Sequence, residues 1–201
     1  LANAVTTAFA QTDGRIDFDP AFRHECHHVT LPRRRASYQN YVQAKDNLAR
    51  LIAIMPEKEA FEDFCRETHA NEKIPGRPGP YDSKLHHFVL IQNNKAVIRR
   101  FETQDAEPTF AFDMQTIRIG EVALVNNPFE LYLMFGQIIK ARAQARQTFV
   151  VQLSGGTGGY LPSPEAERLG GYGGLIINGN VGADGGFKLA DLAVNAINEL
   201  F

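Results

Sequence analysis

The segment that most constrains the fold runs from residue 121 to residue 160. Glu121-Val122-Ala123-Leu124-Val125 is an apolar run of strand length, and Thr148-Phe149-Val150-Val151-Gln152-Leu153 is a second. Between them Leu131, Met134, Phe135, Ile138 and Ile139 recur at helical spacing. Strand, helix, strand in this order is the pattern of two parallel neighbours joined by a crossover helix. Glu130, after the first strand, and Tyr160, closing the loop Ser154-Gly155-Gly156-Thr157-Gly158-Gly159-Tyr160, then lie just past two strand C-termini. Open α/β sheets bind their ligands at that edge.

The rest of the chain supplies further helices and strands. Residues 2–12 suit a short helix with Ala4, Val5, Ala8 and Phe9 on one face, closed by Asp13-Gly14. Phe22 to Leu31 alternates as a strand and stops at Pro32, and Ser37 caps a helix reaching Met55. After Pro56, Lys58 to His69 is amphipathic, with Phe61, Phe64 and Cys65 as its inner side. Ile74-Pro75-Gly76-Arg77-Pro78-Gly79-Pro80 is a loop and a possible subdomain seam. Residues 83–102 fit a hairpin or a helix and are read as a helix. Phe110 to Val125 forms two strands joined at Gly120, followed by a helix from Pro128 to about Ala143. Pro164 to Leu169 is a helical turn or two, and a final helix spans Phe187 to Leu200. The fold class is therefore α/β, a mixed sheet flanked by helices.

A chain of 201 residues, 44% hydrophobic and 22% charged, fits one globular domain. A net charge of −2 argues against a generic nucleic-acid binder. The basic run Arg33-Arg34-Arg35 reads as a solvated loop. No apolar stretch approaches the ~20 residues of a membrane span. The opening Leu1-Ala2-Asn3-Ala4-Val5 has neither initiator Met nor basic region, and reads as cut from something longer. Cys26 and Cys65 could form a disulfide or be two small buried hydrophobes.

Each candidate site residue carries a plain structural reading beside the chemical one. With Asn127 as N-cap and Pro128 at the first helical position, Glu130 falls where a capping box puts its carboxylate. The glycines of residues 154–160 could cradle an anion, or let the backbone pass close to a ligand or another strand. Tyr160 could be a half-buried filler. Gly170-Gly171-Tyr172-Gly173-Gly174 sets a second tyrosine in permissive backbone, as a pocket wall or a plain loop. His24, Cys26 and His28 share one face of a strand and could chelate, although this spacing lacks the second pair of a zinc module. His86-His87 is a weaker candidate, and no Gly-x-Ser-x-Gly elbow is present.

Several of these segments resemble one family. Ile117-Arg118-Ile119-Gly120-Glu121-Val122-Ala123-Leu124-Val125, Asn127-Pro128-Phe129-Glu130 and Gly136 are similar to the segment of the neutral/alkaline, non-lysosomal ceramidases around their zinc-binding glutamate. Thr148-Phe149-Val150-Val151, Gly159-Tyr160-Leu161-Pro162-Ser163, Glu165 and Gly170-Gly171-Tyr172 are similar to their zinc-tyrosine segment. Val181-Gly182-Ala183-Asp184-Gly185-Gly186 also looks alike, while the resemblance before residue 115 is thin. It implies that residues 1–201 are the C-terminal half of a catalytic domain. Glu130 and Tyr160 would ligate zinc, and Tyr172 would line the site and hold the reacting amide. Two histidine ligands and a serine segment would come from the upstream half of the same domain, which is the implied partner. The implied reaction is zinc-dependent hydrolysis of the N-acyl amide of ceramide or a related lipid, in a secreted or periplasmic protein of bacterial type. The family's Pro-Gly-Glu is Pro-Phe-Glu here, and its C-terminal immunoglobulin-like domain is not in this sequence. The alternative is a non-catalytic module that binds an anionic or glycan ligand through the loop 154–160. A third reading gives His24, Cys26 and His28 as replacement metal ligands.

Overall fold

A computed structural model describes residues 2–12, 16–76 and 86–201. In chain order the elements are α1 (Ala2–Gln11), β1 (Phe22–Pro32), α2 (Tyr38–Ile54), α3 (Glu57–Glu72), α4 (His87–Thr103), β2 (Thr109–Ile119), β3 (Val122–Asn126), β4 (Phe129–Leu131), α5 (Leu133–Arg142), β5 (Gln147–Val151), β6 (Gly159–Leu161), α6 (Pro164–Leu169), a 3₁₀ turn (Tyr172–Gly174) and α7 (Ala183–Asn198). The main sheet has the order β1-β2-β3-β5. Its first two pairings are antiparallel, and β3 lies parallel to β5 with Val125 opposite Val150. The sheet is mixed and flanked by helices, as the periodicity implies, and a smaller sheet pairs β4 with β6.

Strand alternation decides where the core lies. Phe112, Met114, Thr116, Ala123, Val125 and Thr148 face inward and are buried, under Phe135 and Ile139 of α5 and Leu189, Ala193 and Ile197 of α7. Full burial of such side chains contributes ~1.5–3 kcal/mol each. The first turns of α7 hold Gly185 and Gly186, poor helix formers at ~1 kcal/mol each against alanine. A Cβ on Gly186 would lie 2.3 Å from Phe135 Cζ, so the close approach of α7 to α5 requires that glycine. For this reason the helix begins at Ala183 and not at Phe187, where propensity alone would start it.

The helix read over residues 2–12 forms as α1, and its apolar face buries nothing among the described residues, with Val5 63% and Phe9 78% exposed. The helix from Pro128 does not form; the chain instead makes β4, and α5 starts at Leu133. The carbonyls that would open such a helix are occupied. Those of Asn127, Pro128 and Phe129 accept from the N–H groups of Ser154, Gly158 and Leu153 at 3.0, 2.8 and 3.4 Å. Asn127 Oδ1 still accepts from Phe129 N at 3.1 Å, as a cap would, but it serves a turn. Residues 87–102 are helical in α4, while Asp13-Gly14, 83–85 and the proposed seam from Arg77 to Pro80 lie outside the described residues. On α3 the inner position is Ala60, fully buried, whereas Phe61 is 49% exposed.

Arg33 and Arg34 are not a solvated loop. Arg33 donates from Nε to Thr109 O at 2.9 Å and from Nη1 to Asn180 Oδ1 at 2.9 Å, while Arg34 Nε lies 3.2 Å from Glu167 Oε1. Both cysteines are free thiols, Cys26 exposed and Cys65 partly buried.

Candidate functional site

The parallel pairing of β4 and β6 sets Glu130 directly opposite Tyr160. Phe129 and Leu131 point into the core, which alternation requires to turn Glu130 to the other face. Leu161 is buried, and its neighbour Tyr160 accordingly shares the face of Glu130. The Tyr160 hydroxyl donates to the Glu130 carboxylate. This bond, followed by burial and by repulsion from the Glu130 charge, holds the phenol above its ordinary pKa.

Glycine contacts fix the geometry of both strands. A Cβ on Gly158 would lie 2.3 Å from the Phe129 ring, and one on Gly159 would lie 2.4 Å from Asn178 O. Gly159 also has φ +71°, a left-handed conformation that glycine adopts without strain. The loop glycines thus serve close backbone passage. Three of the loop's N–H groups, those of Ser154, Gly158 and Tyr160, already donate to Asn127, Pro128 and Asn178, so they are not available to an anion.

Tyr172 opens the 3₁₀ turn, and its ring meets that of Tyr160 edge-on, with centroids 5.7 Å apart and planes at 80°. The next residue, Gly173, sits under the cluster. A Cβ there would come within 2.6 Å of the Tyr132 hydroxyl and 2.9 Å of Tyr160 Cδ1. Tyr132 is therefore a fourth member of the site that the sequence reading omits. It lies two residues after Glu130, and a strand reading of residues 129–132 would have placed it on the same face.

The donor set is one carboxylate with three phenols. Glu130 and Tyr160 present two adjacent oxygen donors, hard enough for a divalent cation, and a cation between them would replace the shared proton. Among the described residues no group of three or more His, Cys, Asp or Glu could hold a metal ion. Two donors alone do not complete a metal site.

The histidine candidates are engaged elsewhere. His24 Nε2 is 2.6 Å from Gln115 Oε1, Gln115 Nε2 donates to Cys26 Sγ at 2.9 Å, and His28 Nδ1 is 3.0 Å from Asp113 Oδ1. These three line the outer face of β1 against β2 and converge on no shared ligand position. His86 is buried, caps α4 by accepting from Phe88 N at 3.2 Å, and lies 3.2 Å from Glu67 Oε2. His87 bonds Leu51 O at 3.0 Å.

No helix among the described residues is long and apolar enough to cross a membrane. No protein-family model matches the sequence, and comparison with curated proteins returns no match. Among solved structures, a ceramidase complexed with C2 is similar to part of the chain, at 21% sequence identity and a TM-score of 0.41. The similar region covers 45% of this chain and 15% of that one.

Proposed function

We propose that residues 1–201 are the C-terminal half of a ceramidase-type amide hydrolase domain, with Glu130 and Tyr160 as two zinc ligands and Tyr172 as the residue that holds the substrate amide. The observation that carries this reading is the β4–β6 register, which sets the carboxylate and the phenol side by side with Tyr172 edge-on to the phenol. The motif resemblance around the same three residues supports it. Zinc, when bound, lowers the pKa of a bound water toward ~7 and polarises a carbonyl.

The chain's own residues would do the following. Glu130 accepts the Tyr160 hydroxyl proton in a hydrogen bond, and the two oxygens are the ones that would hold the cation. Tyr172, half exposed beside Tyr160, presents a phenol to a carbonyl oxygen that gains negative charge as water adds. Hydrolysis of the N-acyl bond consumes one water and releases a carboxylic acid and an amine. The substrate class is a lipid amide of ceramide type, and the upstream half of the domain supplies the remaining ligands.

The test uses the full-length protein, with zinc content and hydrolysis of ceramide measured together. Glu130→Ala and Tyr160→Phe should each lower zinc affinity by more than the ~10–100-fold lost with an outer-shell partner. Tyr172→Phe should keep its zinc and lose about 100–1,000-fold in turnover, the cost of one oxyanion donor. Unchanged zinc affinity in the first two variants would sink the assignment.

A further inference from the structure

We infer that the cavity between the end of β1 and α4 is a binding site for a phosphate-type oxyanion, held by Arg33, Arg34, Arg99 and Arg100. Two basic runs far apart in sequence converge there around about 250 Å³ of space. The four guanidinium groups face two carboxylates: Glu107 Oε2 lies 3.5 Å from Arg33 Nη2, and Glu167 Oε1 lies 3.2 Å from Arg34 Nε. Arg100 Nη1 donates only to carbonyls, Gly179 O at 2.7 Å and Arg34 O at 3.4 Å. Arg99 has no side-chain acceptor among the described residues. Among the described residues the cavity thus carries two positive charges without a counterion.

Arginine cannot shed this charge by deprotonation at neutral pH. Burial lowers the Arg100 pKa, and the charges of Arg33 and Arg34 lower it further, which marks the unrelieved repulsion. Arg34 is likewise lowered by burial, and its buried Nη1 has no hydrogen-bond partner. An anion would relieve both. Arg33 and Arg100 are braced by backbone carbonyls, so the remaining N–H groups are pre-positioned and not floppy surface charges. Forked guanidinium groups match phosphate geometry. The volume falls below the ~300–1,000 Å³ of drug-sized pockets, which favours a single phosphate group over a large ligand. The site stands apart from the zinc reading and can be assayed without metal or activity.

Calorimetry on the full-length protein, with inorganic phosphate against chloride at matched ionic strength, tests it. Saturable binding is expected, weakened about ten-fold by Arg99→Ala, restored in part by Arg99→Lys and unaffected by Lys58→Ala on α3. Arg99 is exposed and has no side-chain acceptor among the described residues, so its loss leaves the fold intact. Phosphatidylcholine vesicles with and without phosphatidic acid separate the sources. Binding only to the acidic vesicles, displaced by inorganic phosphate, identifies a lipid phosphomonoester; phosphate binding without vesicle binding identifies a soluble one. No saturable phosphate binding, or equal weakening by Arg99→Ala and Lys58→Ala, would overturn the site.

Discussion

Glu130 offers two physical roles in the sequence, and one residue-level fact separates them. A capping carboxylate must accept from its own helix's first N–H groups, yet Glu130 lies in β4 and its carboxylate accepts from Tyr160. The shared proton makes a measurable prediction. The phenol's raised pKa stabilises the fold fully below the unfolded value near pH 10, and that contribution is lost as pH rises through the folded value. Glu130→Gln removes the repelling charge and should bring the Tyr160 titration down toward the ordinary range. Alkaline ultraviolet difference spectra between each protein and its Tyr160→Phe counterpart isolate this phenol from the other tyrosines. An unmoved titration would mean that the carboxylate does not govern the phenol.

Among the elements, β4 shows what a sequence can and cannot disclose. The parallel β3–β5 pair, the helices α2 and α6 and the alternation of β1 follow from apolar period and caps, because their stabilising contacts lie within the element or across one face, whereas the α4 segment fits a hairpin as well as a helix. Glu130, Tyr160 and Tyr172 could be marked as candidates for the same local reason, their setting beside turns and glycines. Tyr132 escaped because its face depends on β4 being a strand, which in turn depends on carbonyls taken by residues some 25 positions later. Local propensity at Asn127-Pro128 favours a helix, and only the returning glycine loop overrules it. The paired basic runs are equally silent in sequence, since nothing local tells that α4 brings Arg99 and Arg100 to Arg33 and Arg34. The glycine loop's part in β4 can be tested at Gly158. Gly158→Ala forces a methyl into the Phe129 ring, which packs against Phe110 and Phe112 at 5.4 and 5.7 Å. Overpacking of this kind costs ~1–3 kcal/mol. Denaturant unfolding should show that loss, and an unchanged midpoint would mean that β4 and the loop are not coupled.

On the scale of the whole molecule, the main sheet is covered on one face and open on the other. Cross-strand register lines up Phe149, Leu124, Ile117 and His24 in one row, and Ile119 with Phe22 and Val122 in the next. These residues point away from α5 and α7, and Phe22, Ile119 and Phe149 are 67%, 44% and 51% exposed. On the proposed function, the upstream half of the domain would cover this face. By itself the chain presents a contiguous apolar surface on a sheet whose β5 edge is unpaired, and such surfaces self-associate. Light scattering on the isolated chain should therefore rise with concentration more steeply than for an ideal monomer. Ile119→Lys with Phe149→Lys, two exposed positions outside the core, should suppress that rise without loss of helix signal. In the full-length protein the same pair should instead destabilise the domain and lower zinc retention, because a buried interface would then hold two unpaired lysines. If the double variant leaves both behaviours unchanged, the open face is solvent-facing in the full-length protein, and the upstream half that the proposed function calls for would have to dock elsewhere.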